Sequence, residues 1–294
     1  MTFFIDMIKG IFIGIANIIP GVSGGTLALS MGIYDKLIGA VSNFLKDWKR
    51  SVLILFPIAI GCGIGIVGFT YAIEYLLSVH TFVTCMAFIG LILGGLPVLV
   101  KQLKMKLSQR GGSIGFSGIL CFLLLFAFAV LLPLMGSEET SMTALASSPT
   151  LIVLMFFIGI IASATMVIPG VSGSMVLMIL GYYYGIIDSI KTFLEALKTF
   201  DFPVMMNRCL ILAPFGIGVL LGIFLIAKLI TFLFERYGVQ TYCAILGLVL
   251  SSPFAIFYNT GLFTQLGDLN MMILASGILF AAAGGVVSYF LGER

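Results

Sequence analysis

The sequence predicts an all-α, polytopic membrane protein: an inverted-topology repeat with two re-entrant broken-helix hairpins and about six spanning helices. Three observations carry this expectation. The 294 residues are 61% hydrophobic and 9% charged, with a mean hydropathy of +1.22, whereas a soluble domain carries roughly 25% charged residues. Short polar segments divide the chain into apolar stretches of spanning length. Finally, one motif occurs twice inside apolar sequence, as IIPGVSGGT (Ile18 to Thr26) and VIPGVSGSM (Val167 to Met175). Proline and glycine there expose backbone N–H and C=O groups where no water can satisfy them, so each break must face protein or bind something.

The spans follow from the polar segments. Six ordinary ones are expected, at 51–77, 82–100, 116–135, 208–234, 241–258 and 269–291, each reaching the roughly 17 to 25 residues that a crossing helix needs. Loops are expected between them, including 43–50, 101–115, 136–149 and 191–207. The two motif segments, 3–41 and 151–190, are each much longer than one span and broken near the middle. Two half-helices joined at the break would form a re-entrant hairpin; the competing geometry is a long, tilted, interrupted helix. No charged n-region with a short apolar stretch and cleavage site precedes the first segment, so no cleaved signal peptide is expected.

The repeat extends beyond the motif. Pro20 and Pro169, Gly32 and Gly181, and Tyr34 and Tyr183 are all separated by 149 residues. Further on, ILFPIAIGCGIGI (Ile54 to Ile66) matches ILAPFGIGVLLGI (Ile211 to Ile223), and AFIGLIL (Ala87 to Leu93) matches AILGLVL (Ala244 to Leu250), both with a separation of 157. The domain division expected is therefore a first repeat at 1–135, an external linker at 136–149 and a second repeat at 150–294.

Charge sets the expected topology. Loops 43–50 and 101–115 hold Lys46, Lys49, Arg50, Lys101, Lys104, Lys106 and Arg110, which places them in the cytoplasm. Segment 136–149 carries Glu138 and Glu139 without a basic residue and is read as external. Three spans then separate the two breaks, so the repeats are inverted, an arrangement that in secondary transporters puts the site near the bilayer midplane. Segment 191–207, with Lys191 and Lys198 offset by Glu195 and Asp201, is a mild violation. The net charge of +3 is explained by topology and gives no reason to expect a nucleic-acid partner.

At each break the chemistry suits an anion, phosphate above all. A half-helix begins there with unpaired N–H groups, Gly21, Gly24, Gly25, Gly170 and Gly173 allow close backbone approach, and Ser23, Thr26, Ser172 and Ser174 add hydroxyls. The bland alternative is a proline kink with packing glycines. With their neighbours Asn17, Pro20, Val22, Pro169 and Val171, these residues form the expected substrate-binding set, and Arg208 or Lys228 would supply positive charge. Glu74, Asp35 and Asp188 are the candidates for carrying a coupling proton. Catalysis is not expected. GVSG invites a nucleophilic-serine reading, but the only histidine, His80, lies in a turn near a membrane face, and a serine nucleophile needs a base within hydrogen-bond reach. No metal site or cofactor is expected, and the five cysteines, without C-x-x-C spacing, are read as small packing residues.

The strings ANIIPGVSGGTLALSMGIYD and IPGVSGSMVLMILGYYYGIID resemble the bacterial PopT-type polyprenyl-phosphate translocases, a family first catalogued as a membrane domain of unknown function. The resemblance covers essentially the whole chain. It implies a flippase of the bacterial plasma membrane that returns undecaprenyl phosphate from the outer to the cytoplasmic leaflet, with that lipid and the surrounding membrane lipids as partners; a homo-oligomer is compatible with it. The residues alone indicate only an inverted-repeat transporter with an anion site. An anion channel or exchanger and a membrane scaffold are the competing functional classes.

Overall fold

A computed structural model of the chain describes residues 2–19, 22–109, 112–135, 148–265, 267 and 269–292. Pro20, Gly21, Arg110 and the segment with Glu138 and Glu139 lie outside the described residues. Regular structure among the described residues is entirely helical. The first half contains α1 (Thr2–Ile18), α2 (Gly24–Ser30), α3 (Tyr34–Ser42), α4 (Trp48–Val79), α5 (Thr81–Gly94), α6 (Leu96–Gln109) and α7 (Phe116–Leu134). The second contains α8 (Pro149–Val167), α9 (Gly173–Ile179), α10 (Tyr183–Thr199), α11 (Phe202–Arg236), α12 (Gly238–Asn259), α13 (Leu262–Gln265) and α14 (Met271–Gly292).

Among the described residues, seven stretches are long and apolar enough to cross a bilayer: α4, α5 together with α6, α7, α8, α11, α12 and α14. Six match the expected spans. The seventh, α8, was expected to be the first half of a hairpin, yet its 19 residues rise about 28 Å at 1.5 Å each, close to a full hydrocarbon thickness. Exposed apolar side chains such as Val67 and Leu220, 79% and 71% exposed, are what a lipid-facing surface requires. The chain is thus a multi-pass membrane protein.

Two expected loops are helical instead. The basic segment 101–115 begins as the end of α6, where Leu99 and Leu103, one turn apart, are buried while Lys101 and Lys104 face outward. That amphipathic spacing lets α6 pack on α12 while its charges stay solvated. Segment 191–207 is divided between α10 and α11, with only Phe200, at a left-handed φ of 56°, and Asp201 between them.

Helix starts follow capping chemistry. Asp47 Oδ1 accepts from Arg50 N–H at 3.3 Å, Ser148 Oγ from Leu151 N–H at 3.2 Å, Asp201 Oδ1 from Val204 N–H at 3.3 Å and Asn270 Oδ1 from Ile273 N–H at 2.8 Å. Each satisfies an amide that the helix leaves unpaired. The two motif segments share a succession: a long helix, a five-residue break, a seven-residue helix, a glycine turn and a further helix. Both short helices end in a Schellman turn. Ile33 N–H donates to Ala28 O and Tyr182 N–H to Leu177 O, each at 2.9 Å, across Gly32 and Gly181 at φ 67° and 80°. Between α9 and α10 the axis bends by 107°.

The chain packs as two compact units. One comprises 1–133, 168–171 and 227–294. Within it α1 lies along α4 so closely that a Cβ at Gly61 would fall 2.1 Å from Met7 O and one at Gly10 2.4 Å from Ile58 O; small residues permit this approach where no hydrophobic force between helices operates. In the same unit α14 packs on α5 through Gly90 and Ala281, and α7 on α12 through Gly247 and Phe122. The other unit comprises 134–167 and 172–226. Its α8 and α11 meet through Gly159 against Phe215 and Gly218 against Phe156, positions related to Gly10, Ile58 and Gly61 by the separations of 149 and 157 found in the sequence. Its core is Met155, Ile158, Ala162, Leu177, Ile186 and Ile211.

Candidate functional site

The described polar groups at the first break are enclosed. Val22, Ser23, Gly24 and Thr26 are buried and Gly25 half-buried. Ser23 is the N-cap of α2, with extended backbone (φ −97°, ψ 126°), and Ser172 occupies the same position on α9 (φ −91°, ψ 118°). Unlike Asp47, Ser148, Asp201 and Asn270, neither serine uses its side chain to cap its helix. Ser172 Oγ instead lies 2.9 Å from Ser174 Oγ. Ser23 Oγ is buried without a hydrogen-bond partner among the described residues. A desolvated hydroxyl with no partner costs about 1–3 kcal/mol, so native structures rarely keep one without a reason.

The structure brings the two motif copies into direct contact. Gly170 N–H donates to Thr26 Oγ1 at 2.6 Å, and Thr26 is fully buried. At φ 82°, Gly170 sits so close to α12 that a Cβ there would lie 2.5 Å from Leu248 O; only glycine meets both demands. Pro169 and Val171 are buried beside it. Asn17, although exposed, lies against the start of α2, its amide 2.6 to 2.9 Å from where a Cβ on Gly24 would be. In the second copy Met166 occupies that place against Gly173.

The charged candidates are distributed differently. Arg208 is half-buried near the start of α11, and Lys228, Glu74 and Asp188 are exposed. Asp35 opens α3, accepts a hydrogen bond from the buried Tyr242 and faces Lys106. It borders two cavities, one of about 400 Å³ with Lys36, Lys46, Asp47 and Arg50 in its wall, the other of about 340 Å³ with Lys106, Thr231, Glu235 and Tyr242. His80 is exposed in the turn between α4 and α5.

Sequence reasoning missed one group. Asp6 and Lys9 on α1 are both buried; Lys9 Nζ donates to Met31 O at 2.8 Å, and Asp6 forms an ion pair with Lys36 of α3. A signal was available: the positions 149 residues further on are Met155 and Ile158, so charge stands where the other copy is apolar.

An all-helical chain of apolar spans in the bacterial plasma membrane, with enclosed polar groups at a helix break, defines the class: a polytopic membrane protein. The chain belongs to the undecaprenyl phosphate translocase-like family, whose model matches residues 13–267. It is similar to a polyprenyl-phosphate transporter of Staphylococcus aureus, with 31% identity covering 98% of this chain and 96% of that protein. A polyprenyl-phosphate transporter of Vibrio cholerae is 30% identical over 86% of this chain and 77% of its own length. No solved structure matches the chain.

Proposed function

We propose that this protein is a transporter, not an enzyme, which returns undecaprenyl phosphate from the outer to the cytoplasmic leaflet of the bacterial plasma membrane. The observation that carries the reading is the buried hydroxyl of Ser23, unpartnered among the described residues, in a break where the two motif copies meet through Thr26 and Gly170. A phosphate oxygen is the acceptor such a hydroxyl lacks, and charge-assisted hydrogen bonds of this kind are roughly twice as strong as neutral ones. Ser172 and Ser174 offer the same chemistry in the second copy, with Asn17 and the neighbouring glycine amides completing the set and Arg208 or Lys228 supplying charge. Only the headgroup needs this polar path, because the isoprenoid tail is soluble in the surrounding hydrocarbon. Family membership and the names of the two relatives support the choice of lipid.

The test is reconstitution. Proteoliposomes should move undecaprenyl phosphate between leaflets without conducting chloride, and Ser23→Ala combined with Ser172→Ala should abolish the movement. Chloride flux without lipid movement would establish an anion channel instead, and unchanged lipid movement in the double variant would remove the serines from the site. Asp35, Glu74 and Asp188 are the proposed proton carriers. Asp35→Asn, which keeps the hydrogen-bonding shape without the charge, should uncouple transport from a proton gradient.

A further inference from the structure

Asp6 and Lys9 are buried charges near the start of the first motif segment, Asp6 paired with the exposed Lys36, and none of the three belongs to the phosphate site proposed above. Burying an ammonium group is costly unless it is hydrogen-bonded and paired. Lys9 meets that demand at one place: its Nζ donates to Met31 O, the carbonyl at the C-terminal end of α2. A cation there compensates the negative end of the short helix and occupies a carbonyl the helix cannot use. Asp6, one turn earlier on the same face of α1, holds Lys36 of α3. The two contacts tie α1 to the C-terminal end of α2 and to α3, and α2 carries Ser23 as its N-cap.

The second copy has no such grip. Its residues at the corresponding positions are Met155, Ile158 and Gly185, and Met155 and Ile158 belong to an apolar core with Leu177 of α9 and Ile186 of α10. Both copies therefore hold a seven-residue helix against the preceding long helix, one by directed charge-assisted bonds and the other by undirected apolar packing. Directed bonds fix the orientation of α2; apolar contact fixes only its proximity.

We infer that Lys9 is a positioning residue, which with the Asp6–Lys36 pair sets the orientation of the first break and makes the two copies mechanically unequal. This rests on the proposal that Ser23 meets the phosphate of the substrate, and it is tested by two measurements of which only one depends on that proposal. The first is amide hydrogen exchange of purified protein. Lys9→Met should speed exchange at residues 24–31 about tenfold, the scale of one lost charge-assisted hydrogen bond, and leave residues 173–180 unchanged, while Lys9→Arg stays close to the parent. The second is movement of a fluorescent short-chain polyprenyl phosphate in proteoliposomes. Lys9→Met should raise KM about tenfold with kcat less affected, since a misplaced hydroxyl weakens binding. The variant Asp6→Met with Lys9→Ile, which copies the apolar pair of the second repeat, keeps the test decisive if Lys9→Met does not fold. It should fold, exchange faster at residues 24–31 and show the raised KM. Parental exchange at α2 in that double variant, or equal acceleration at both short helices in Lys9→Met, would overturn the inference. Failure of the parent protein to move the lipid would count against the transport proposal, with the exchange measurement still deciding the role of Lys9.

Discussion

Replacing Ser23 by alanine should make the substrate-free protein more stable and less active. The side chain is 5% exposed and its Oγ has no hydrogen-bond partner among the described residues. Deleting an unpaired buried hydroxyl recovers part of a desolvation cost of about 1–3 kcal/mol, and the void left by one oxygen atom is small, so a net gain of about 1 kcal/mol is expected. For a chain of this size that corresponds to a rise of about 2–4 °C in Tm. Thr26→Val is the control, because it has nearly the same shape and the opposite consequence. It removes the acceptor of the Gly170 N–H, strands a backbone donor and should lower stability by about 1–3 kcal/mol. Thermal unfolding of both variants in detergent without lipid phosphate, followed by transport in proteoliposomes, gives the comparison. A Ser23→Ala protein that unfolds several degrees below the parent would show that the hydroxyl is structural. One that is more stable but transports at the parental rate would refute its assignment to the substrate.

Other substitutions follow from the packing. Gly61→Ala and Gly218→Ala would place a Cβ 2.1 and 2.0 Å from the carbonyls of Met7 and Phe156, and each should cost about 1–3 kcal/mol as the helices are forced apart. Gly63→Ala and Gly216→Ala meet nothing within 4 Å and should be neutral or stabilising by up to about 1 kcal/mol in the same unfolding assay. At φ 80°, Gly181→Ala should destabilise by about 1–2 kcal/mol, and Gly181→Asn should recover part of that loss. Among the free cysteines, exposed Cys209 should react with a small maleimide while buried Cys85 and Cys243 stay unmodified in the folded protein, as read by intact mass.

Much of the helical plan was legible because the bilayer imposes it. Apolar runs near 20 residues interrupted by Lys46 to Arg50, by His80 or by Asn259 have few alternatives to spanning helices. Other features were hidden because composition does not encode them. The basic residues after Val100 suggest a loop, but the buried pair Leu99 and Leu103 decides for a helix by periodicity. That α8 by itself has spanning length is not legible in the motif, because Pro169 reads as the middle of one unit, whereas 19 residues precede the break as a helix of their own. At the site, the serines and glycines could be read from the motif, but two facts could not. That Thr26 receives an amide from the other copy depends on tertiary contact, and that Ser23 caps nothing depends on a side-chain rotamer. The burial of Asp6 and Lys9 appears only once α1, α2 and α3 are packed, because their partners, Lys36 and the carbonyl of Met31, are more than twenty residues away in sequence.

The duplicated motif suggests two equal half-sites, and the residues around it contradict that equality. Thr26, Asn17, Asp6 and Lys9 of the first copy stand opposite Met175, Met166, Met155 and Ile158 of the second. In every pair the polar or charged member belongs to the first copy. Beyond the shared IPGVSG residues, the two copies keep backbone features in common: the N-cap conformation at Ser23 and Ser172, the Schellman turns at Gly32 and Gly181, and the glycine contacts between long helices. Keeping that geometry while these neighbouring side chains differ preserves two similar breaks but gives them different surroundings. The hydrogen bond that joins Gly170 to Thr26 has that character, with a side-chain acceptor from the first copy and a backbone donor from the second. A backbone N–H cannot be tuned by substitution, whereas Thr26 can. Affinity for the headgroup should therefore respond to changes at Ser23, Thr26 and Asn17 more than to changes at Ser174 or Met175, and a series of paired substitutions at equivalent positions would measure the difference directly.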